Sequence, residues 1–174
     1  MPIKHIDKPQ PGEHSEYFGR YVKLVPEGHI LPVLEAQITE RKPWLHELPA
    51  DRGQHRYAEG KWSVNEVLGH LNDCERVFQF RMLHAARRDP GELPGFDQDQ
   101  WAAAANHHDR TLCEMLDEFE NVRRESIRLL RSFDDESLAA RCRADGNPLS
   151  VRAMAWILAG HELHHTRVLR ERYL

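Results

Sequence analysis

The residues best suited to chemistry lie near the end of the sequence, where residues 159–168 read AGHELHHTRV. Within this stretch, His161, Glu162 and His165 fit the H-E-x-x-H pattern that zinc peptidases carry on a helix. Two imidazoles four residues apart stand on one helix face and can share a metal ion, and the adjacent glutamate can act as a general base. The pattern predicts either a peptidase or a different metal site with the same spacing.

A peptidase of this type needs a third metal ligand after the motif. Nine residues follow His165 in the sequence, and the position six residues on is Glu171. On a helix, that glutamate is nearly two turns away and about 120° around the axis from His165. It therefore cannot complete the same site. We expect the third ligand to come from upstream, and we expect no peptidase activity.

A candidate third ligand is His70, three residues after Val67 and four before Cys74 in a predicted helix. In the last helix, the residues at steps of three and four are Val151, Met154, Leu158, His161, His165 and Val168. This spacing places His161 and His165 on the buried stripe, and His70 on or beside the inward face of its own helix. Helical bundles build metal sites from side chains on facing helices.

The alternative is that these histidines are ordinary core residues with hydrogen-bond partners. A single histidine on an apolar face is more often of that kind, and His70 alone would not indicate a metal. Burying two imidazoles without a common partner costs about 1–3 kcal/mol for each unsatisfied group. The pair at His161 and His165 therefore favours a metal site.

Four long helical segments must position these side chains. Breaks at Pro43, at Pro90–Gly95 and at Gly146–Pro148 separate them, and Ser63, Thr111 and Ser150 are predicted N-caps. We predict helices from Ser63 to about Arg88 and from Val151 to about Arg172. No stretch alternates with period two for long enough to predict a sheet. The predicted fold is all-α, an antiparallel four-helix bundle of residues 14–174 preceded by an extended arm of residues 1–13.

Composition excludes several other classes of protein. A formal charge of −4, with both signs interspersed, argues against a nucleic-acid partner. No apolar run is long enough to span a membrane, and the first residues lack the apolar stretch of a secretory signal. Three scattered cysteines, at positions 74, 113 and 142, favour a reducing compartment over a disulfide framework. We expect a cytoplasmic protein.

The connection between the second and third long helices contains a second candidate set. Asp97 and Trp101 follow Pro94, Gly95 and Phe96 in this loop. The loop could cover the mouth of the metal site, with Asp97 orienting a ligand histidine or bound water and with Asp97 and Trp101 as candidate substrate-binding residues. Equally, the aromatic rings could close the end of the bundle while the acidic groups remain in solvent.

Three segments together resemble the DinB-like superfamily, which includes bacillithiol S-transferases and mycothiol-dependent maleylpyruvate isomerases. They are WSVNEVLGHLND (62–73), LPGFDQDQW (93–101) and WILAGHELHHTRVLRERY (156–173). The resemblance extends from about Tyr17 to Leu174. It implies a four-helix bundle and one divalent metal, usually nickel or zinc, held by His70, His161 and His165. His164 is not a ligand in that pattern.

The resemblance also implies a reaction, in which a low-molecular-weight thiol docks at the metal and attacks a small electrophile. A second possibility is hydrolysis by metal-bound water, with Glu162 or His164 as the catalytic base. A third is a non-catalytic metal- or ligand-binding protein made under stress. The charged run that includes Arg167 and Arg170 is either a solvated face or the rim of an interface, so a homodimer stays open.

Overall fold

The computed structural model describes residues 5–174, with the side chains of residues 40–43 left undescribed. Residues 1–4 of the predicted arm therefore lie outside the described residues. The helices are α1 Glu16–Val22, α2 Ile30–His46, α3 Val64–Ala86, α4 Gln98–Ala104, α5 Leu112–Ser132, α6 Asp135–Ala139 and α7 Val151–Arg172. Two short strands, β1 Arg141–Ala144 and β2 Asn147–Ser150, and two 3₁₀ turns, Ala50–Gln54 and Asn106–Asp109, complete the elements.

Local hydrogen bonds fix where the long helices begin. The Ser63 hydroxyl accepts from the Glu66 amide, and the Glu66 carboxylate accepts from the Ser63 amide, which is a complete capping box. Thr111 caps α5 with Glu114 in the same way, and the Ser150 hydroxyl accepts from the third residue of α7. These three predicted helix starts are confirmed. The predicted end of α2 at Pro43 is wrong by a few residues, because the helix continues to His46.

The four long helices form the predicted bundle. Helix α3 packs against α5 and α7, and α2 packs against the same two helices from the opposite side. The order around the bundle is therefore α2, α5, α3, α7. In this order α2 lies diagonally opposite α3, and α5 lies diagonally opposite α7. Helix α1 packs against the outside of α7. The all-α bundle architecture is confirmed.

Neighbouring helices differ in relative direction. The side chain of Asn72 bonds the carbonyl of Met115, and that of Gln79 bonds the carbonyl of Val122, so positions on α3 and α5 increase together. These two helices run parallel, so the expected antiparallel arrangement is wrong for this pair, although the bundle itself is confirmed. The long connection at residues 87–111, which carries α4, returns the chain to the end of the bundle where α3 began. Bundles with such crossovers mix parallel and antiparallel neighbours.

Helices α3 and α7 run antiparallel, and this pair carries the histidines. The Tyr173 hydroxyl, at the end of α7, donates to the carbonyl of Trp62 just before α3 begins. Further along, His70 of α3 meets His161 of α7. Between these two contacts the residue numbers increase along α3 and decrease along α7, as expected for antiparallel helices. The two histidine-bearing segments therefore lie face to face.

A β-hairpin between α6 and α7 was not predicted from sequence. Its strands pair antiparallel, and Asp145 and Gly146 in the turn have φ angles of 52° and 70°. Two successive positive φ angles are typical of a tight type I′ hairpin turn, in which Gly is favoured. The strands are four residues each, too short for an alternating pattern to be recognised. The expectation of a break here was right, and the expectation of no sheet was wrong.

The beginning of the described chain packs onto the bundle. Ile6 is 1% exposed and belongs to the main hydrophobic core. The buried carboxylate of Glu13 accepts hydrogen bonds from Arg152 near the start of α7 at 2.8 and 3.1 Å. No helix among residues 5–174 is both long enough and apolar enough to cross a membrane.

Helix α1 approaches α7 closely at Gly160. A Cβ atom at this position would lie 2.0 Å from the carbonyl oxygen of Tyr21, far inside van der Waals contact. The Tyr21 ring in turn lies edge-on to His161, with ring centroids 5.2 Å apart. The missing side chain at Gly160 therefore sets the distance between α1 and the histidine-bearing face of α7.

We predict that Gly160→Ala lowers the free energy of unfolding by about 1–3 kcal/mol, the usual cost of overpacking. Alanine normally stabilises a helix interior by roughly 1 kcal/mol relative to glycine, so the sign of the change is diagnostic. Urea denaturation measures it. Gly91→Ala is the control, because its Cβ would meet no atom closer than 3.4 Å. A Gly160→Ala variant as stable as the wild type would show that α1 does not pack this closely.

Candidate metal centre

Three imidazoles meet between α3 and α7. The Nε2 atom of His161 lies 3.1 Å from Nε2 of His70 and 3.1 Å from Nε2 of His165. All three ligand atoms lie within 4.8 Å of one another. His161 and His165 are one turn apart on α7, and His70 faces them from α3. The three residues proposed as ligands are thus brought together by the fold.

Hydrogen bonding alone does not account for this arrangement. A neutral imidazole nitrogen carries either one proton or one lone pair, so Nε2 of His161 cannot bond well to both neighbours. A metal ion bound by histidine at about 2.0–2.1 Å from each nitrogen holds the nitrogens roughly 3 Å apart. The observed separations of 3.1 Å match that spacing. The residues present therefore fit a divalent metal.

Burial keeps the rings of His70 and His161 neutral. His70 and His161 are 5% and 8% exposed. Burial lowers the pKa of His70 to about 4, although the nearby Asp73 opposes the shift. Burial, reinforced by the neighbouring His165 and His70 rings, holds the pKa of His161 well below its ordinary value. Both imidazoles are unprotonated at neutral pH, so their lone pairs are available to a metal.

Aromatic and sulfur contacts hold the ring of His70. Trp62, just before the N-cap of α3, lies against it with ring centroids 4.9 Å apart. The Sγ atom of Cys74, one turn along α3, is 3.6 Å from both ring nitrogens of His70. Burial raises the pKa of the Cys74 thiol to about 12, so it stays protonated beside the imidazole. Cys74 is a neighbour of the histidine cluster and not one of its three members.

The histidine cluster opens onto a cavity of about 410 Å³. His70 and His161 form part of its wall. The rest comes from α1, α3, the loop before α4, the β-hairpin and α7, through Tyr17, Phe18, Tyr21, Cys74, Phe78, Arg81, Gly95, Phe96, Gln98, Ala144, Asp145, Asn147 and Ile157. Its walls combine aromatic and aliphatic side chains with polar and charged groups. This composition is typical of small-molecule sites.

Glu162 and His164, proposed as catalytic bases, do not line this cavity. Glu162 is 3% exposed, and its Oε1 accepts a hydrogen bond of 2.7 Å from Thr166 on the same helix. His164 is exposed, with its ring against Tyr21 and His165. Both residues are therefore adjacent in sequence to His161 or His165 but lie outside the cavity.

Asp97 and Trp101, proposed to contact substrate, are also outside the cavity. The carboxylate of Asp97 caps α4 by accepting from the amides of Asp99 and Gln100. Trp101 is 42% exposed and packs against Phe96 with ring centroids 4.5 Å apart. It lines a second, mostly apolar cavity of about 350 Å³ on the other side of Phe96. From this loop, Gly95, Phe96 and Gln98 reach the histidine cavity instead.

Several cavity residues were missed from the sequence. Tyr17 and Tyr21 lie on the short helix α1, and nothing in the sequence indicates that α1 packs on α7. Arg81 did carry a signal, because it interrupts the apolar stripe of α3 between Phe78 and Met82. A charge at an inward position of a helix is unusual and could have marked it as a candidate.

Comparisons with known proteins agree with this architecture. The chain is 28% identical over 112 residues to an Oceanobacillus iheyensis protein named as a "putative metal-dependent hydrolase", and the match spans 63% of each chain. The fold is similar to that of YfiT from Bacillus subtilis, described as "a probable metal-dependent hydrolase with an unusual four-helix bundle topology". That likeness has a TM-score of 0.66 and 18% identity and covers 97% of this chain and 94% of YfiT. A family model described as the DinB superfamily matches residues 34–169, and the chain belongs to that superfamily.

Proposed function

We propose that the protein is a divalent-metal-dependent enzyme that transfers a low-molecular-weight thiol to a small electrophile. His70, His161 and His165 are the proposed ligands. The observation that carries the proposal is the meeting of three imidazoles, with Nε2 of His161 3.1 Å from Nε2 of both His70 and His165, at the wall of a cavity of about 410 Å³. A structural metal would be closed by four protein ligands, whereas three ligands leave a position for a reactant.

The proposed ion is nickel or zinc, as the resemblance to the superfamily implies. Neutral imidazoles bind both of these ions well, and the low pKa of His70 keeps its lone pair free. When bound, the ion supplies a positive charge that lowers the pKa of a thiol or water ligand. The remaining chemistry falls to the cavity walls. Phe18, Phe78 and Ile157 exclude water from the bound reactants.

Thiol transfer suits this cavity because it requires no general base from a side chain. The thiol sulfur forms a bond to the electrophilic carbon, the leaving group departs with the electrons of its own bond, and the thiol proton goes to solvent. Hydrolysis would benefit from a base near the ligand nitrogens. Glu162 and His164 do not line the cavity, and its one carboxylate, Asp145, is on the β-hairpin. Hydrolysis remains the second candidate because the names of the two relatives describe metal-dependent hydrolases.

The first prediction concerns the ligands. His70→Ala, His161→Ala and His165→Ala should each lose most of the bound metal, because two imidazoles hold an ion much less tightly than three. Elemental analysis after dialysis measures the stoichiometry, with about one ion expected in the wild type. His164→Ala is the matched control, since this exposed histidine is adjacent to His165 and should keep full occupancy. Full occupancy in His70→Ala would contradict the three-histidine site.

The second prediction concerns metal removal. An ion that binds only the native state adds about 2.7 kcal/mol at a hundredfold excess over its dissociation constant, or roughly 5–11 °C in Tm for a chain of this size. Chelation should lower Tm by that amount. The helical circular dichroism at room temperature should persist, because the apolar core does not depend on the ion. His161→Ala should show no chelator-dependent shift. Loss of the helical signal on chelation would identify a structural metal instead.

The third prediction separates the two reactions. The metal-loaded protein should catalyse the reaction of 1-chloro-2,4-dinitrobenzene with at least one of bacillithiol, mycothiol, glutathione and cysteine. A C–S bond forms, chloride leaves, and the absorbance of the product reports the rate. The rate should fall to background in His161→Ala. Hydrolysis of 4-nitrophenyl acetate without added thiol, together with no thiol-dependent rate, would replace thiol transfer with hydrolysis. Inactivity in both assays would count against the proposed enzyme.

A further inference from the structure

Arg81 is buried in the wall of the histidine cavity and forms no ion pair with any carboxylate among the described residues. Its side chain is 5% exposed. One guanidinium nitrogen donates to the carbonyl of Pro94 at 3.0 Å, and the group lies over the Phe78 ring at 5.6 Å from the centroid. A guanidinium has five N–H donors, so one carbonyl leaves most of its hydrogen-bonding capacity unused.

The other buried arginine among the described residues shows what the fold provides when the role is structural. Arg123 is 1% exposed, and its Nε lies 2.6 Å from the carboxylate of Glu75 on α3. It also donates to the side-chain oxygen of Gln37 on α2. A buried charge is tolerated when it is paired and hydrogen-bonded in this way. Arg81 has no such acid, although it belongs to the same bundle.

The position of Arg81 relative to the histidines defines what it can contact. It follows His70 by eleven residues on α3, or about three turns and 16 Å along the axis. Both side chains line the same cavity. Apolar rings, including Phe78 and Phe96, line the cavity together with them. A small molecule with an apolar body can therefore lie between the metal ligands and the guanidinium.

Asp145 is the acidic group facing this end of the cavity. It sits in the turn of the β-hairpin, is exposed to solvent and packs over Gly95. Water screens an exposed carboxylate much more than it screens a buried cation. Asp145 therefore offsets the charge of Arg81 only in part, and Arg81 is the cationic side chain that lines the cavity.

We propose that Arg81 is a specificity-determining residue that binds the carboxylate of an anionic substrate whose reactive atom lies at the histidine cluster. The planar fork of the guanidinium matches a carboxylate in a two-bond geometry. This inference rests on the proposed function for the identity of the reactive end, since it assigns the opposite end of the same substrate. It adds a substrate class: small carboxylates with an apolar or aromatic body.

The test compares two probes of equal shape, 3-phenylpropanoate and 3-phenylpropanamide, by calorimetric titration. The wild type should bind the carboxylate more tightly by roughly tenfold to a hundredfold, as expected for a charge-assisted hydrogen bond. Arg81→Gln should lose this preference while keeping its affinity for the amide. Arg81→Lys, which retains the charge, should keep part of the preference for the carboxylate. Arg128→Gln, which removes an exposed arginine from α5, is the control and should bind both probes as the wild type does.

Titrations of both the metal-loaded and the chelated protein separate this inference from the proposed function. The carboxylate preference should survive chelation, because Arg81 is not a proposed metal ligand. If thiol transfer fails and the preference persists, the proposed function is wrong and the role of Arg81 stands. If the wild type binds the two probes equally, or binds no carboxylate, or if a folded Arg81→Gln variant keeps the preference, the role of Arg81 is wrong.

Discussion

The site depends on one packing constraint, the antiparallel contact of α3 with α7. That contact brings His70 to 3.1 Å from His161 across the interface, while the helical repeat of α7 brings His165 to the same distance. Buried imidazoles without a shared partner would weaken this interface. A metal ion bound to all three would turn the same cluster into a cross-link between the two helices. Stability and chemistry would then rest on the same three nitrogens.

The other elements convert this cluster into a cavity. Helix α1 lies against α7 because Gly160 has no side chain to meet the backbone of Tyr21. The loop before α4 contributes Phe96, whose ring separates the histidine cavity from its apolar neighbour. The β-hairpin closes a third side. None of these elements belongs to the four long helices, so the bundle holds the three histidines and its additions complete the cavity beside them.

The two buried arginines illustrate how the chain divides charge between folding and function. Arg123 and Glu75 neutralise each other in the middle of the bundle, with Gln37 linking them to α2. Gln37 also donates to the carbonyl of Ala159, two residues before His161 on α7. This polar network ties all four long helices together beside the histidine cluster. Arg81 donates to one carbonyl and lies over one aromatic ring. Its charge therefore remains available to a molecule that binds in the cavity.

Much of the bundle could be predicted from local sequence because its signals are local. The capping boxes at Ser63 and Thr111 each span four residues, so they mark the helix starts in the local sequence. The spacing of His161 and His165 follows from the helical repeat. The order and direction of the helices could not be predicted, because they depend on the length and path of the connections. Likewise, α1 reaches the cavity through the contact at Gly160, which no periodic pattern reveals. The hairpin strands are too short to show alternation.

X-ray absorption spectroscopy of the metal-loaded protein at the edge of the bound metal is the most direct test of the three-imidazole centre. It reports the elements bound to the ion and their distances without requiring a substrate. The account predicts three imidazole nitrogen donors at about 2.0–2.1 Å and no protein sulfur. A sulfur scatterer at about 2.3 Å in the absence of added thiol, as Cys74 would give, would contradict it. So would a spectrum with fewer than three imidazoles.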